Sequence, residues 1–155
     1  MIGNRKSGQV SMKNMVLLID ANVVLSYITR RQPGFDEAYR LMDLCSGDNV
    51  DGYIAFHTVS IVWYALRKKP QAERREVLLN LCSVLTVAGA SHKDVVEAIK
   101  HEEFSDFEDC LQEKCAENIH ADYIVTENLR DFKVSNVMAI SPRGMLDVLG
   151  DKLIK

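Results

Sequence analysis

An acidic residue stands where the first apolar run of this chain ends. The run is Val16–Ile19, it ends on Asp20, and Asn22 follows two residues later. A short aliphatic run of this kind predicts a buried strand of a parallel sheet. Open α/β sheets bind ligands at the carboxyl ends of their strands, so Asp20 is expected at such an edge. Because a carboxylate is costly to remove from water, it needs a metal ion, another cation or backbone donors there.

A second group of acids occupies Phe104–Phe132. We expect Ser105 to be the N-cap of a helix whose first turn carries Asp106 and Asp109, with Glu108 completing a capping box. The two aspartates are three residues apart and therefore share a face near the helix start. Acids at this end also interact favourably with the helix dipole, so a purely stabilising role stays open, above all for Asp106.

Polar residues also follow the predicted strand Tyr123–Thr126. Thr126 ends the strand, and Asn128 and Asp131 lie in the turn after it. These side chains can point back over the carboxyl edge of the sheet. The alternative is an ordinary turn in which Asn and Asp make local hydrogen bonds.

Together these residues predict a metal-dependent site. Asp20 and the turn Thr126–Asp131 both follow strands, and a right-handed crossover brings the start of the Asp106 helix toward the same edge. Clustered carboxylates raise each other's pKa values unless a cation intervenes. Oxygen-only ligands suit Mg²⁺ or Mn²⁺ better than zinc. Such ions activate water and stabilise the charge of a phosphoryl displacement, so we expect metal-assisted phosphodiester hydrolysis.

Strand-like runs alternate with helical patterns along the chain, which predicts a three-layer α/β/α fold with a mostly parallel central sheet of about five strands. The predicted strands are Val16–Ile19, Gly52–Phe56, Val84–Val87, Tyr123–Thr126 and Val137–Ile140. The predicted helices are Val23–Thr29, Phe35–Cys45, Thr58–Arg67, Gln71–Ser83, 91–100, 105–118 and 141–149.

The composition is that of one water-soluble domain. The chain has 155 residues, of which 47% are hydrophobic and 26% charged, and its net charge is −3. The negative charge argues against bulk attraction to nucleic acid, but it is compatible with a nuclease whose acids surround metal ions. Residues 1–14 have no apolar signal-peptide core and are expected to form a flexible extension, with residues 15–155 as the single domain. We expect no membrane span and a cytoplasmic location.

Most of the other residues considered are expected to have structural roles. The four cysteines contain no CxxC pair and are expected to be reduced core residues, and the four histidines show no ligand spacing. Arg30 and Arg31 follow the first helix and either contact phosphates or form a solvated face. Trp63 and Tyr64 are expected in the core or in a homodimer interface.

Four segments together carry a resemblance to a known family. They are DANVVL at Asp20–Leu25, HTVSIVWYALRK at His57–Lys68, DFEDCLQEKCAE at Asp106–Glu117 and TENLRDF at Thr126–Phe132. In order and spacing they resemble the PIN domain, the nuclease fold of VapC-type toxins of toxin–antitoxin pairs, in the branch with a "DFEDAL"-like helix start. The resemblance extends from Val16 to Leu149.

The resemblance implies a role for each member of the acidic group. Asp20, Asp109 and Asp131 would be catalytic and would hold the metal, Mg²⁺ or Mn²⁺. A supporting set would assist them or hold them by hydrogen bonds. This set comprises Asp106, Asn128, Thr126 and Asn22.

Two positions depart from the family pattern. Many PIN nucleases place a Glu on the third helix, where this chain has Ile61, and many have an Asp where this chain has Asn128. Neither replacement supplies a carboxylate. The function that the resemblance implies is that of a metal-dependent ribonuclease, the toxin of a toxin–antitoxin pair. Its substrate would be RNA, an antitoxin is a possible partner, and the expected state is a homodimer.

Two alternatives remain at this point. The first is a catalytically degenerate PIN-like domain that binds RNA or a protein. The second is an unrelated α/β protein such as a flavodoxin-like domain or a response regulator, and the response regulators also cluster acids at strand ends. A response regulator would need paired acids directly after the first strand and a later strand-end Lys, and neither is evident.

Overall fold

The computed structural model describes residues 13–154, with side chains described up to residue 150. Within this part of the chain there are five strands and seven α-helices. The strands are β1 (Met15–Ile19), β2 (Val50–Ala55), β3 (Thr86–Ala88), β4 (Tyr123–Val125) and β5 (Ala139–Ile140). The helices are α1 (Ala21–Thr29), α2 (Phe35–Cys45), α3 (Phe56–Ala65), α4 (Gln71–Val84), α5 (His92–Lys100), α6 (Phe107–Asn118) and α7 (Pro142–Ile154). A 3-10 helix spans Leu129–Phe132.

The strands form a single parallel sheet in the order β3-β2-β1-β4-β5. The first strand lies at the centre, where β2 and β4 flank it on its two sides. Each parallel connection runs through at least one helix, as parallel pairing requires. The carboxyl ends of β1 and β4 are therefore neighbours, although Asp20 and Thr126 are 106 residues apart in sequence.

Alternating side chains of β1 supply two hydrophobic cores, one on each face of the sheet. Leu17 and Ile19 pack in the larger core, which contains buried residues of α1, α2, α3, α4 and α7. Leu18 packs on the other face with residues of α5 and α6 and with Phe132. The helices thus cover both faces of the sheet, and the predicted three-layer α/β/α fold is confirmed.

Among the boundaries that differ from prediction, two bear on the core and on the site. Val84 ends α4 instead of opening a strand, because the backbone becomes extended only at Leu85, whose N–H still donates to the carbonyl of Leu81 at 2.9 Å. The predicted N-cap of α6 was Ser105, and this is wrong. Asp106 is the N-cap, and its Oδ1 accepts a hydrogen bond from the backbone N–H of Glu108 at 2.7 Å. An ionised carboxylate makes a stronger bond of this kind than a neutral hydroxyl.

Two further expectations concern the chain ends and membranes. The predicted extension, residues 1–14, lies outside the described residues except for Lys13 and Asn14. Between residues 13 and 154, no helix combines the length and apolar character that crossing a bilayer demands.

Gly52 tests how tightly β2 packs. A methyl group added at this buried position would lie 2.6 Å from Cδ2 of Leu85 and 2.7 Å from Sγ of Cys45. We expect Gly52→Ala to lower the free energy of unfolding by about 1–3 kcal/mol through overpacking. The control is Gly89→Ala, because an added methyl there meets no atom within 4 Å. Urea unfolding measures both variants, and equal stability of the two would contradict the packing described here.

Candidate active site

Asp20 sits at the junction of β1 and α1. Its backbone N–H donates to the carbonyl of Val125 at 2.9 Å, which extends the β1–β4 ladder by one residue. Its own carbonyl accepts the first hydrogen bond of α1, from Val23 at 3.0 Å. The side chain is only 5% exposed and makes no capping bond to the helix. The strand and the helix together fix the position of this carboxylate, and its oxygens remain available to side chains.

Both carboxylate oxygens of Asp20 accept short hydrogen bonds. Nε2 of Gln112 donates to Oδ1 at 2.7 Å, and Oγ1 of Thr126 donates to Oδ2 at 2.7 Å. Gln112 and Thr126 are themselves buried. Hydrogen bonds to an ionised group are stronger than those between neutral groups, and losing one inside the protein is costly.

A small network ties the turn after β4 to α1. Oγ1 of Thr126 accepts from the backbone N–H of Asn128 at 3.0 Å and from Nδ2 of Asn22 at 3.4 Å. Oδ1 of Asn22 accepts from the backbone N–H of Glu127 at 3.3 Å. Asn22 and Thr126 therefore make the kind of hydrogen bonds that the resemblance implies for supporting residues.

Gln112 is a site residue that the sequence analysis missed. It lies one turn after Asp109 on α6, and its Nε2 also approaches Oδ1 of Asp109 at 3.5 Å. The amide thus bridges the carboxylates of Asp20 and Asp109. Its Oε1 is buried and has no hydrogen-bond partner among the residues described. The available signal was the three-residue spacing from Asp109, but sequence does not show that Asp20 is the second partner.

The pKa of the Asp109 carboxyl group is strongly raised in this site. Burial, followed in order of effect by the negative charges of Asp20, Asp106 and Asp131, raises its pKa from 3.8 to about 7. The hydrogen bond from Gln112 opposes this rise. Four acids from three separate elements are therefore within electrostatic reach of one another.

The other predicted residues lie around this group at different depths. Asp131 is partly buried in the 3-10 helix, where its N–H donates to the carbonyl of Asn128 at 3.1 Å. Asp106 and Asn128 are exposed. The acids thus form a rim around the buried carboxylate of Asp20.

The two predicted phosphate-binding arginines differ in their surroundings. Nη2 of Arg31 donates to Oγ of Ser26 at 3.1 Å and lies 3.6 Å from a carboxylate oxygen of Glu127. Glu127 follows Thr126, so Arg31 is anchored beside the site. Arg30 is exposed at the end of α1 with a left-handed φ of 55°, and among the described residues it makes no side-chain contact with the acids.

His57 also lies next to the acidic group, although the sequence analysis gave it a structural or surface role. Burial lowers the pKa of its imidazole, while the charges of Glu108, Asp20 and Asp106 act in the opposite direction. Both ring nitrogens are buried and lack a hydrogen-bond partner among residues 13–154. A lone histidine without ligand spacing gave no sequence signal of this placement.

The chemistry of the donors fits a hard divalent ion. Most of the available donor atoms are carboxylate oxygens. Their negative charges add to the effect of burial in raising the pKa of Asp109, and a bound cation would oppose that rise. The geometry is not preassembled, since no group of three His, Cys, Asp or Glu side chains in the described region is arranged to hold a metal.

Comparison with known proteins decides the family. A profile of the PIN domain matches residues 16–130, which is most of the chain. The chain belongs to the PIN domain family. Comparison with curated proteins finds no match.

Several solved structures share the fold of this PIN domain. VapBC2 from Rickettsia felis, bound to a DNA fragment from its promoter, has a TM-score of 0.64 and 20% identity over 82% of this chain and 98% of that chain. VapBC-1 from nontypeable Haemophilus influenzae has a TM-score of 0.63 and 14% identity over 83% and 99%. VapC20 of Mycobacterium tuberculosis, described as a sarcin-ricin loop cleaving toxin, has a TM-score of 0.62 and 15% identity over 81% of this chain and 99% of that chain. At these identities the likeness establishes the fold.

The raised pKa of Asp109 predicts how the stability of this PIN domain depends on pH. The folded state keeps a proton that the unfolded chain releases near pH 3.8, so the stabilisation is complete below that pH and is lost as pH rises through about 7. In EDTA, we expect the wild type to lose stability between pH 5 and 8 more steeply than Asp109→Asn, which cannot ionise. Urea unfolding at several pH values measures this difference.

Asp43→Asn is the matched control, because Asp43 is exposed and lies with Met15 and Val50 at the amino ends of β1 and β2. It should follow the wild-type pH dependence. Parallel curves for wild type and Asp109→Asn would contradict the electrostatic description of the site.

Proposed function

We propose that this PIN domain is a Mg²⁺- or Mn²⁺-dependent ribonuclease. The observation that carries the proposal is the buried Asp20 carboxylate beside Asp109, whose pKa is raised to about 7 by burial and by the charges of Asp20, Asp106 and Asp131. A group of carboxylates with this much mutual repulsion, at the carboxyl edge of a parallel sheet, favours a cation-binding function over a purely structural one.

The residues of the site would have separate roles in metal binding. Asp20, Asp109 and Asp131 would hold the ion, with Asp106 and Asn128 at the rim. Thr126 and Asn22 would keep the carboxylate of Asp20 oriented, as in other metal sites with hydrogen-bonded ligands. When bound, the ion would supply an activated water and neutralise charge on the scissile phosphate.

Arg31 would contribute to substrate binding. Its guanidinium is anchored by Ser26 and Glu127, and its side chain is 57% exposed, so part of its donor fork faces solvent. Arginine suits phosphate because it can donate two parallel hydrogen bonds. The exposed Arg30 would act as a second, freer contact to the RNA backbone.

The biological role we propose is that of the toxin in a toxin–antitoxin pair. The structural neighbours from Rickettsia felis and Haemophilus influenzae are VapBC proteins, and the one from Mycobacterium tuberculosis is a toxin that cleaves the sarcin-ricin loop. An acidic cleft suits an antitoxin segment that inserts a basic side chain. A homodimer is also proposed, with exposed Tyr64 and Leu79 on α3 and α4 as contact residues, 66% and 71% exposed.

An RNA cleavage assay tests the enzymatic proposal. The purified protein is incubated with a mixture of structured RNAs in the presence of Mg²⁺, Mn²⁺ or EDTA. We expect metal-dependent cleavage by the wild type and by Asp43→Asn. Asp20→Asn and Asp109→Asn should each lose more than about 100-fold, since even residues that only support a metal ligand cost up to that much.

The same assay separates the alternative function. Ile61 and Asn128 supply no carboxylate, and this favours a degenerate domain that binds RNA or a protein without cleaving. Metal-independent RNA binding by the wild type with no cleavage in either ion would support that alternative and overturn the nuclease. Full cleavage by a correctly folded Asp20→Asn would overturn the proposed site.

A further inference from the structure

His57 is the unexplained polar group of the site. It is the second residue of α3, whose sequence is FHTVSIVWYA. Among His, Cys, Asp and Glu, the side chains most used to bind metals, His57 is the one that α3 contains. Ile61 lies one turn later on the same helix face and offers no donor atom. Any nitrogen or carboxylate ligand that α3 contributes to the site must therefore come from His57.

The two ring nitrogens of His57 lack partners. Both are buried, and neither makes a hydrogen bond to a residue in the described part of the chain. The backbone of Glu108 interacts with the ring and favours the charged imidazole, but the contact lies outside ordinary hydrogen-bond geometry. Buried polar atoms nearly always have a partner, and an exception calls for an unseen water, ion or ligand.

The surroundings of the ring indicate which kind of partner is missing. The charged groups that act on it are Glu108, Asp20 and Asp106, all of them carboxylates. A second unpartnered atom belongs to the same site: Oε1 of Gln112, a residue that is 98% buried and whose amide contacts Asp20. A cation is the occupant that would satisfy both an imidazole lone pair and Oε1 of Gln112 and would also be attracted by these carboxylates.

We propose that His57 is a nitrogen ligand of the divalent ion and gives this site a mixed nitrogen and oxygen donor set. The inference rests on the proposed metal-dependent function. The imidazole at the start of α3 would bind the ion together with carboxylates of the site, whose charges already act on the ring. Imidazole raises affinity for transition-metal ions, whereas Mg²⁺ favours oxygen ligands and retains its water. The site should therefore prefer Mn²⁺ to Mg²⁺.

Pulsed electron paramagnetic resonance of bound Mn²⁺ tests this ligand directly. The unpaired electrons of Mn²⁺ couple to a coordinated ¹⁴N nucleus, and the coupling modulates the spin echo. We expect this modulation in the wild type and its loss in His57→Gln at saturating Mn²⁺. His92→Gln is the matched control, since His92 is exposed on α5, and it should keep the wild-type spectrum. A merely structural histidine would not produce the coupling.

Calorimetric titration provides the second readout. His57→Gln should weaken Mn²⁺ binding by at least about tenfold, because even the loss of a group that only supports a ligand costs that much, and it should affect Mg²⁺ much less. If His57→Gln does not fold, the wild type labelled with ¹⁵N-histidine replaces it. The label should convert the ¹⁴N modulation into that of ¹⁵N.

The outcomes distinguish this inference from the proposed function. Saturable Mn²⁺ binding with no nitrogen coupling in the wild type would overturn the role of His57 and leave the carboxylate site standing. Loss of the coupling in His92→Gln instead of His57→Gln would also overturn it. No saturable Mn²⁺ binding at all would overturn the metal site and His57 together.

Discussion

Two short hydrogen bonds to the buried carboxylate of Asp20 hold the functional end of this molecule together. One comes from Gln112 on α6 and the other from Thr126 at the end of β4, each at 2.7 Å. They join the β1–α1 junction to elements that lie 92 and 106 residues away in sequence. Because the donors are buried, neither can exchange its partner for water without cost. The position of Asp109, one turn before Gln112, follows from the first of these bonds.

The same arrangement includes locally unfavourable features, a carboxyl group with a raised pKa and buried polar atoms without hydrogen bonds in the described region. Burial and neighbouring acids raise the pKa of Asp109 to about 7, and within residues 13–154 the ring nitrogens of His57 and the Oε1 atom of Gln112 have no hydrogen-bond partner. Two well-packed cores on the faces of the sheet offset this local instability. Strain of this kind is typical of a functional site, and a bound cation would oppose the rise in the pKa of Asp109.

Sequence reasoning reached the fold and the acids because both follow local rules. A short aliphatic run predicted β1 and placed Asp20 at its end, and helical periodicity gave α2 its observed bounds, Phe35–Cys45. The start of α6 was missed because two adjacent residues can both cap a helix, and the aspartate took the place assigned to the serine. Gln112 and His57 were not predictable, since their roles depend on contacts across the fold that no local spacing records.

Calorimetric titration of Mn²⁺ and Mg²⁺ into the wild type, Asp20→Asn and Asp43→Asn tests the central claim most directly. Repeating it at pH 7 in buffers of different ionisation enthalpy also counts protons released. The account predicts saturable binding to the wild type and Asp43→Asn with proton release, because Asp109 is partly protonated at this pH, and no such binding to Asp20→Asn. Unchanged binding to Asp20→Asn, or no saturable binding to the wild type, would contradict it.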